Sequence, residues 1–306
     1  MDLKVKKISE LDIKSKEINN SSETFKLFKE SSIFSHKWES YFNVYDKIFS
    51  IYKNKKITFV EIGVSAGGSL LMWRKFFGDK ARIIGIDLNP KAKQLENEGF
   101  EIYIGNQSDE NFWKNFYKVV GKIDILLDDG GHKNIQQINS VHNSIDHIND
   151  GGIIVVEDTH TSFLKEFKNP SYFSFLNYCY RINKLIHERC EHIYNTKNKF
   201  INKIDNKYAK KVYSLSFFES IAVINIDSRK CFKSSCVTNT EKWAAGLEQR
   251  DNEYFTELKN FLNNKLNFLN DIKFTRKIIR KLLYKNLFFS MFEKYKIFKI
   301  FQKMNK

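Results

Sequence analysis

Five short apolar runs recur between residues 57 and 158, each set off by polar or glycine-containing stretches: ITFVEIG (57–63), RIIGIDL (82–88), EIYIG (101–105), IDILLDD (123–129) and GGIIVVED (151–158). Continuous Val/Ile/Leu runs of this length mark strands buried on both faces of a parallel sheet. The segments between them change period. Leu70, Leu71, Trp73, Phe76 and Phe77 fall at helical steps, as do Ile135, Ile138, Val141 and Ile145, and Pro90 suits the first turn of a helix. This alternation predicts an α/β fold, a Rossmann-like doubly wound and mostly parallel sheet with right-handed crossovers. Two more apolar runs at 212–217 and 221–226, joined by about three residues around Glu219 and Ser220, are too close for a crossover and predict a terminal antiparallel hairpin.

Outside this core the pattern changes. Residues 1–30 are polar and show no sustained period. In 31–52, Phe34, Trp38, Tyr41, Phe42, Tyr45 and Phe49 keep three- and four-residue steps, which predicts one helix with an aromatic face packed on the core, a lid over a bound ligand being the lesser reading. Residues 171–193 are rich in Phe and Tyr and read as helical. Three regions are expected: an N-terminal lead-in and aromatic helix (1–52), the α/β domain (53–230), and a helical, basic C-terminal extension (231–306).

Charge bears on partners. The net charge is +15, but residues 272–306 carry eleven Lys/Arg against Glu293 alone, which leaves +5 for the other 271 residues. The excess therefore belongs to a tail. There Ile278, Ile279, Leu282, Leu283, Leu287, Phe288, Phe292, Phe298 and Phe301 alternate with Lys and Arg. That pattern suits either a basic amphipathic helix on anionic lipid or a helix packed on protein, including a second copy in a homo-oligomer. Only eight of the 51 basic residues are Arg, the side chain whose fork reads bases and phosphates, so nucleic acid is not the expected partner. A charged N-terminus without an apolar h-region, and no apolar run near the ~18 residues of a membrane span, point to a cytoplasmic protein. Cys179, Cys190, Cys231 and Cys236 lack metal-type spacing and are expected to be reduced.

The candidate chemistry lies at the ends of the strands. In open α/β sheets ligands bind beyond the carboxyl ends. There the fourth and fifth runs deliver Asp128, Asp129 and His132, and Glu157, Asp158 and His160. Taken singly, each acid is as readily a helix cap or a solvated loop charge. Two acidic pairs on strands expected to be neighbours form instead a hard, oxygen-donor site suited to Mg²⁺ or Mn²⁺. The first strand leads into EIGVSAGGS, a glycine turn with Glu61, Gly63, Gly67 and Ser69 but without the GxGxxG spacing. Asp87 ends the second strand, where a carboxylate can accept ribose hydroxyls, and Gln107 and Ser108 follow the third, where an adenine edge would lie.

The ordered blocks EIGVSAGGSL, GIDLNP, GNQSDENF, DILLDDGGH and GGIIVVEDTH resemble the class I S-adenosylmethionine-dependent methyltransferases. Within them they resemble the metal-dependent sugar O-methyltransferases of macrocin and mycinamicin type, over roughly residues 55–165. The terminal antiparallel hairpin agrees with that layout. The resemblance implies S-adenosyl-L-methionine as methyl donor, Mg²⁺ (or Mn²⁺) as second cofactor and a sugar hydroxyl as acceptor. Carried over position by position, it implies metal carboxylates at Asp129, Glu157 and Asp158 and a catalytic base at His132. Cofactor contacts are implied at Glu61, Gly63, Gly67, Ser69, Asp87, Gln107, Ser108 and Asp128. Gly131 stands where the family commonly has Ser, and Ser65 where the loop commonly has its middle Gly.

The expectation is therefore a Mg²⁺-dependent O-methyltransferase acting on a sugar or glycan in surface-polysaccharide or glycan biosynthesis, with peripheral contact to an anionic membrane through its tail. Other readings stay open: a methyltransferase for a non-sugar small molecule or nucleic acid, or a non-catalytic Rossmann-like binding module. The nucleic-acid reading lacks the NPPY- or DPPY-like strand end that usually accompanies amino-group methylation of bases, since the chain has only Pro90 and Pro170.

Overall fold

The computed structural model describes residues 21–167, 172–189, 206–233, 237 and 298. Seven strands form one sheet: β1 (Thr58–Ile62), β2 (Arg82–Asp87), β3 (Glu101–Ile104), β4 (Ile123–Asp128), β5 (Ile148–Val156), β6 (Val212–Phe218) and β7 (Ile221–Ile226). Their order is β3-β2-β1-β4-β5-β7-β6. The first five are parallel, and β7 pairs antiparallel with both β5 and β6. The chain winds outward from β1 in one direction to β3, then returns to β1 and winds the other way. This reversal opens a crevice between the carboxyl ends of β1 and β4.

Alternate residues of each strand feed two cores. Phe59, Ile83, Ile125, Leu127, Val155 and Val223 face an aromatic layer from α2 (Glu39–Phe49) and α3 (Gly68–Phe77), in which Tyr45, Phe49, Trp73 and Phe77 are fully buried. On the other face Val60, Ile84, Leu126, Ile154 and Ile224 meet α4 (Glu110–Val120), α5 (Asn134–Ser144) and α6 (Phe175–His187) through Trp113, Val141 and Phe175. Each large side chain buried in this way contributes roughly 1.5–3 kcal/mol, so the ends of β1 and β4 are held on a rigid base. Asp109 caps α4, and Asn89 caps the 3₁₀ turns Pro90–Glu98, which carry Pro90 at their first position.

The predicted strands and terminal hairpin are all present. The N-terminal aromatic stripe differs from expectation, because the helix spans Glu39–Phe49 and not the whole of 31–52. Tyr41, Phe42, Tyr45 and Phe49 are buried as the spacing implied, whereas Phe34 and Trp38 are 75% and 54% exposed. Residues 31–38 form an irregular strap instead, for polar reasons given below. A separate short helix, α1 (Glu23–Lys29), precedes it, capped by Ser22. Cys179 and Cys231 are free thiols, whereas Cys190 and Cys236 lie outside the described residues. The chain divides into two compact units, Met1–Ser235 and Cys236–Lys306. Apart from Phe298, the basic tail at 272–306 lies outside the described residues. Among the described residues no helix is long and apolar enough to cross a membrane.

Candidate active site

Two arms meet at the crevice. The first is the turn from β1 to α3. Gly63 has φ +86°, and a side chain there would run into the backbone carbonyl of Asp129, so glycine lets the two arms close on each other. Asp87, at the end of β2, accepts hydrogen bonds from the backbone amides of Ser65 (3.0 Å) and Asn89 (2.8 Å), which fixes the loop at the helix N-terminus. Ser69 donates to Glu61 at 2.8 Å, and Glu61 is fully buried. Gln107 and Asp128 are also buried, and they hold each other. Gln107 Nε2 donates to both Asp128 oxygens at 2.9 and 3.0 Å, and Gln107 Oε1 accepts from the amide of Gly131. Burial raises the Asp128 pKa, against the opposing hydrogen bonds of Ser140, Gln107 and Gly130. These two residues brace the loop after β4, whereas the Ser108 backbone carbonyl accepts from Asn139 on α5.

The second arm is acidic. Asp129, Glu157 and Asp158 follow β4 and β5, and what completes them comes from far back in the chain. Lys37 Nζ lies 2.5 Å from Asp129 Oδ2, 3.0 Å from Glu157 Oε2 and 3.5 Å from Glu61 Oε1, with its side chain 2% exposed. Tyr45 donates a short hydrogen bond to Glu157. Asp158 Oδ1 accepts from Tyr41 Oη at 2.6 Å and from Trp38 Nε1 at 3.0 Å. Burial alone would lower the Lys37 pKa, but Asp129, Glu157 and Glu61 more than offset it and hold it well above the usual lysine value. Glu157 is pushed well above the carboxylate range by burial and then by the Asp129 charge, against Lys37 and Tyr45. Glu61 is raised by burial despite Lys37.

His132 Nε2 lies 3.4 Å from Asp158 Oδ2, and its backbone carbonyl accepts from Thr161. One ligand atom each from Asp129, His132 and Asp158 fall within 4.8 Å of one another, which makes this trio a candidate cation site among the described residues. The donors are carboxylate oxygen and imidazole nitrogen without thiolate, a set that suits a hard divalent ion. Among the described residues buried Glu61 Oε1 has no hydrogen-bond partner beyond its 3.5 Å ion pair with Lys37, and three carboxylates face that one ammonium, so the centre is short of positive charge. The residues present fit a cation. His160 also lines the cavity, with Nδ1 2.8 Å from Ser220 Oγ and 3.9 Å from Asp158 Oδ1.

Ser65, His132 and Asp158 all have φ near +50°, a left-handed conformation costly for side-chain-bearing residues. All three line one cavity of about 370 Å³. That cavity runs from the glycine turn, through Gly63, Ser65 and Ser69, to Asp129, His132, Glu157 and Asp158, with Phe34–Trp38 along one wall. Reasoning from sequence did not find Lys37, Trp38, Tyr41 or Tyr45 as parts of the site. The available signal was the pair of acidic strand ends, which demanded a counter-cation from somewhere.

Residues 60–159 match the family model described as a methyltransferase domain. Over 143 residues the chain is 31% identical to an 8-demethyl-8-alpha-L-rhamnosyl tetracenomycin-C 2'-O-methyltransferase of Streptomyces olivaceus, covering 44% of this chain and 37% of that one. It is 32% identical to the demethylmacrocin O-methyltransferase of Streptomyces fradiae, over 42% of this chain and 33% of that one. It is also 32% identical to the mycinamicin VI 2''-O-methyltransferase of Micromonospora griseorubida, over 40% and 32%. The matches thus span about a third of these relatives' length. A crystal structure of the mycinamycin-pathway methyltransferase MycE in complex with Mg and SAH superposes with a TM-score of 0.59 at 22% identity, covering 78% of this chain and 59% of that one. Residues 60–159, which include Glu61, Gly63, Asp87, Asp129, His132, Glu157 and Asp158, thus match a methyltransferase-domain family model, and the sheet that carries them has a Rossmann-like fold.

Proposed function

We propose that this protein transfers a methyl group from S-adenosylmethionine to a sugar hydroxyl with the help of a divalent cation, Mg²⁺ or Mn²⁺. The observation that carries the reading is the single cavity joining the glycine turn to Asp129, His132 and Asp158, which gives donor and acceptor adjoining places. Among the relatives named above, the tetracenomycin enzyme carries a rhamnosyl group in the name of its substrate, which supports a sugar as the acceptor class. We extend this to glycan or polysaccharide biosynthesis as the setting.

On this reading the backbone amides of the glycine turn and Asp87 bind the cofactor. Asp129 and Asp158, with Glu157 or His132, would hold the cation, which when bound lowers the pKa of a coordinated hydroxyl. His132 accepts the acceptor's proton at Nε2. Its left-handed backbone, with its carbonyl held by Thr161, keeps the ring in the cavity. Trp38 and Tyr41 fix Asp158, and Tyr45 fixes Glu157. Methyl transfer is in line from sulfur to oxygen, so donor and acceptor must lie on one axis, which the two arms of the cavity favour.

The test is incubation of the full chain with labelled S-adenosylmethionine and a panel of free, nucleotide-linked and lipid-linked sugars, with Mg²⁺ or with EDTA. Label is expected in a sugar only when metal is present. Full turnover in EDTA would overturn the cation's role, and transfer confined to non-sugar acceptors would overturn the substrate class.

A further inference from the structure

Lys37 occupies the place where a cation is most needed. Its ammonium touches Asp129, Glu157 and Glu61, and Asp129 belongs both to this cluster and to the trio with His132 and Asp158. A hard divalent ion bonds oxygen at about 2.0–2.6 Å. It cannot take the oxygens that the ammonium already holds without entering its space, and two cations on one carboxylate repel each other.

Among the described residues, the segment that carries Lys37 is fastened mainly by polar contacts. Ser31 Oγ donates to the carbonyls of Gly68 (3.1 Å) and Ile33, and Trp38 Nε1 donates to Asp158. The carbonyls of Ile33 and Phe34 close on Gly68, where a side chain would not fit. Among the described residues Phe34 and Trp38 are mostly exposed, with Trp38 edge-on to His160 at 5.9 Å, so neither ring is a buried anchor for the strap. The strap also walls the cavity beside the glycine turn.

We propose that Lys37 is a tethered counter-ion which a divalent cation displaces from Asp129 and Glu157, so that metal binding and release of the 31–38 strap are one event. The inference rests on the cation reading given above. It reconciles two ligand sets. With Lys37 in place, Glu157 and Asp129 Oδ2 are both occupied by the ammonium, and the trio of Asp129, His132 and Asp158 shares one carboxylate with it. With Lys37 withdrawn, Glu157 joins Asp129 and Asp158 as an all-carboxylate set, and His132 is left free to take a proton.

Mn²⁺ is the probe, titrated by electron paramagnetic resonance against the full chain and against Lys37→Met, which keeps the side chain's bulk without its charge. Lys37→Met is expected to bind Mn²⁺ at least tenfold more tightly. In the unaltered chain, Mn²⁺ is expected to raise the rate of Lys37 acylation by an amine-reactive ester at least fivefold, read by mass spectrometry. It should also shift tryptophan emission by an amount lost in Trp38→Phe. Equal or weaker Mn²⁺ binding by Lys37→Met overturns the inference and leaves the cation reading standing, whereas no Mn²⁺ binding by either protein overturns both. Should Lys37→Met fail to fold, acylation of the unaltered chain decides: Lys37 remaining protected under saturating Mn²⁺ overturns the displacement.

Discussion

The two arms of the cavity are built in opposite ways. The turn after β1 is organised by backbone: Gly63 admits a close approach, and the amides of Ser65 and Asn89 are held by Asp87. The acidic arm is organised by side chains from 92 to 120 positions away, with Lys37, Trp38, Tyr41 and Tyr45 all reaching the residues after β4 and β5. The first arm therefore depends on local backbone conformation, with no room for a side chain at Gly63 and one carboxylate, Asp87, holding the turn. The second concentrates charge in a buried place, where loss of one partner leaves another uncompensated.

The largest effects are expected where chemistry and buried charge coincide. Asp129→Ala should abolish activity together with its dependence on Mg²⁺. His132→Ala should lower kcat at least a hundredfold, since general-base catalysis contributes about 10²–10⁴ in rate, while calorimetry shows S-adenosylmethionine affinity unchanged. Near-normal turnover in His132→Ala would move the base to His160 or to solvent and would leave the acidic arm a purely binding role.

On the cofactor side the matching substitution is Asp87→Ala. Hydrogen bonds to a charged group contribute about 1.5–3 kcal/mol, so S-adenosylmethionine should bind at least tenfold more weakly by calorimetry. Mn²⁺ binding should remain intact. If metal and cofactor affinities fall together, the arms are not separable and the contrast between them fails.

The same contrast explains how far the sequence could be read. The five strands, the terminal hairpin and the acids at the strand ends were legible because burial on both faces of a sheet writes continuous apolar runs, and the acids interrupt them abruptly. The strap was not legible. Phe34 and Trp38 keep helical spacing with Tyr41 and Tyr45, and nothing local says that the ammonium of Lys37 pulls the chain out of the helix and into a cluster 92 residues away. Gln107 and Asp128 show the same limit. Their types suit a nucleoside contact, and in the fold their side chains also bond each other, Ser140 and the amides of Gly130 and Gly131, an arrangement that spacing alone does not announce. Sequence spacing shows which residues approach a crevice, but the direction each one faces depends on partners distant in the chain.

Tyr45→Phe isolates one such partner. It removes the hydroxyl that donates to Glu157 and leaves a buried carboxylate oxygen unsatisfied, a loss of about 1–3 kcal/mol in unfolding free energy. The measurement is chemical denaturation of the metal-free chain, with cofactor affinity as the control. Unchanged stability would mean that Lys37 alone supports Glu157.

The smallest effect is expected at Ser65, and it examines the cofactor arm directly. Ser65 has φ +48°, in the left-handed region where a residue with a Cβ is strained by roughly 1–2 kcal/mol. Glycine relieves that strain but gives the unfolded chain more freedom, which costs about 0.4–1 kcal/mol. For Ser65→Gly the two terms partly cancel, so stability should rise by between about 0 and 1.6 kcal/mol. The amide that donates to Asp87 belongs to the backbone and survives the substitution. S-adenosylmethionine affinity should therefore stay within about twofold. A tenfold loss in Ser65→Gly would show that the hydroxyl itself contacts the ligand, and the cofactor arm would then be side-chain-built like its neighbour.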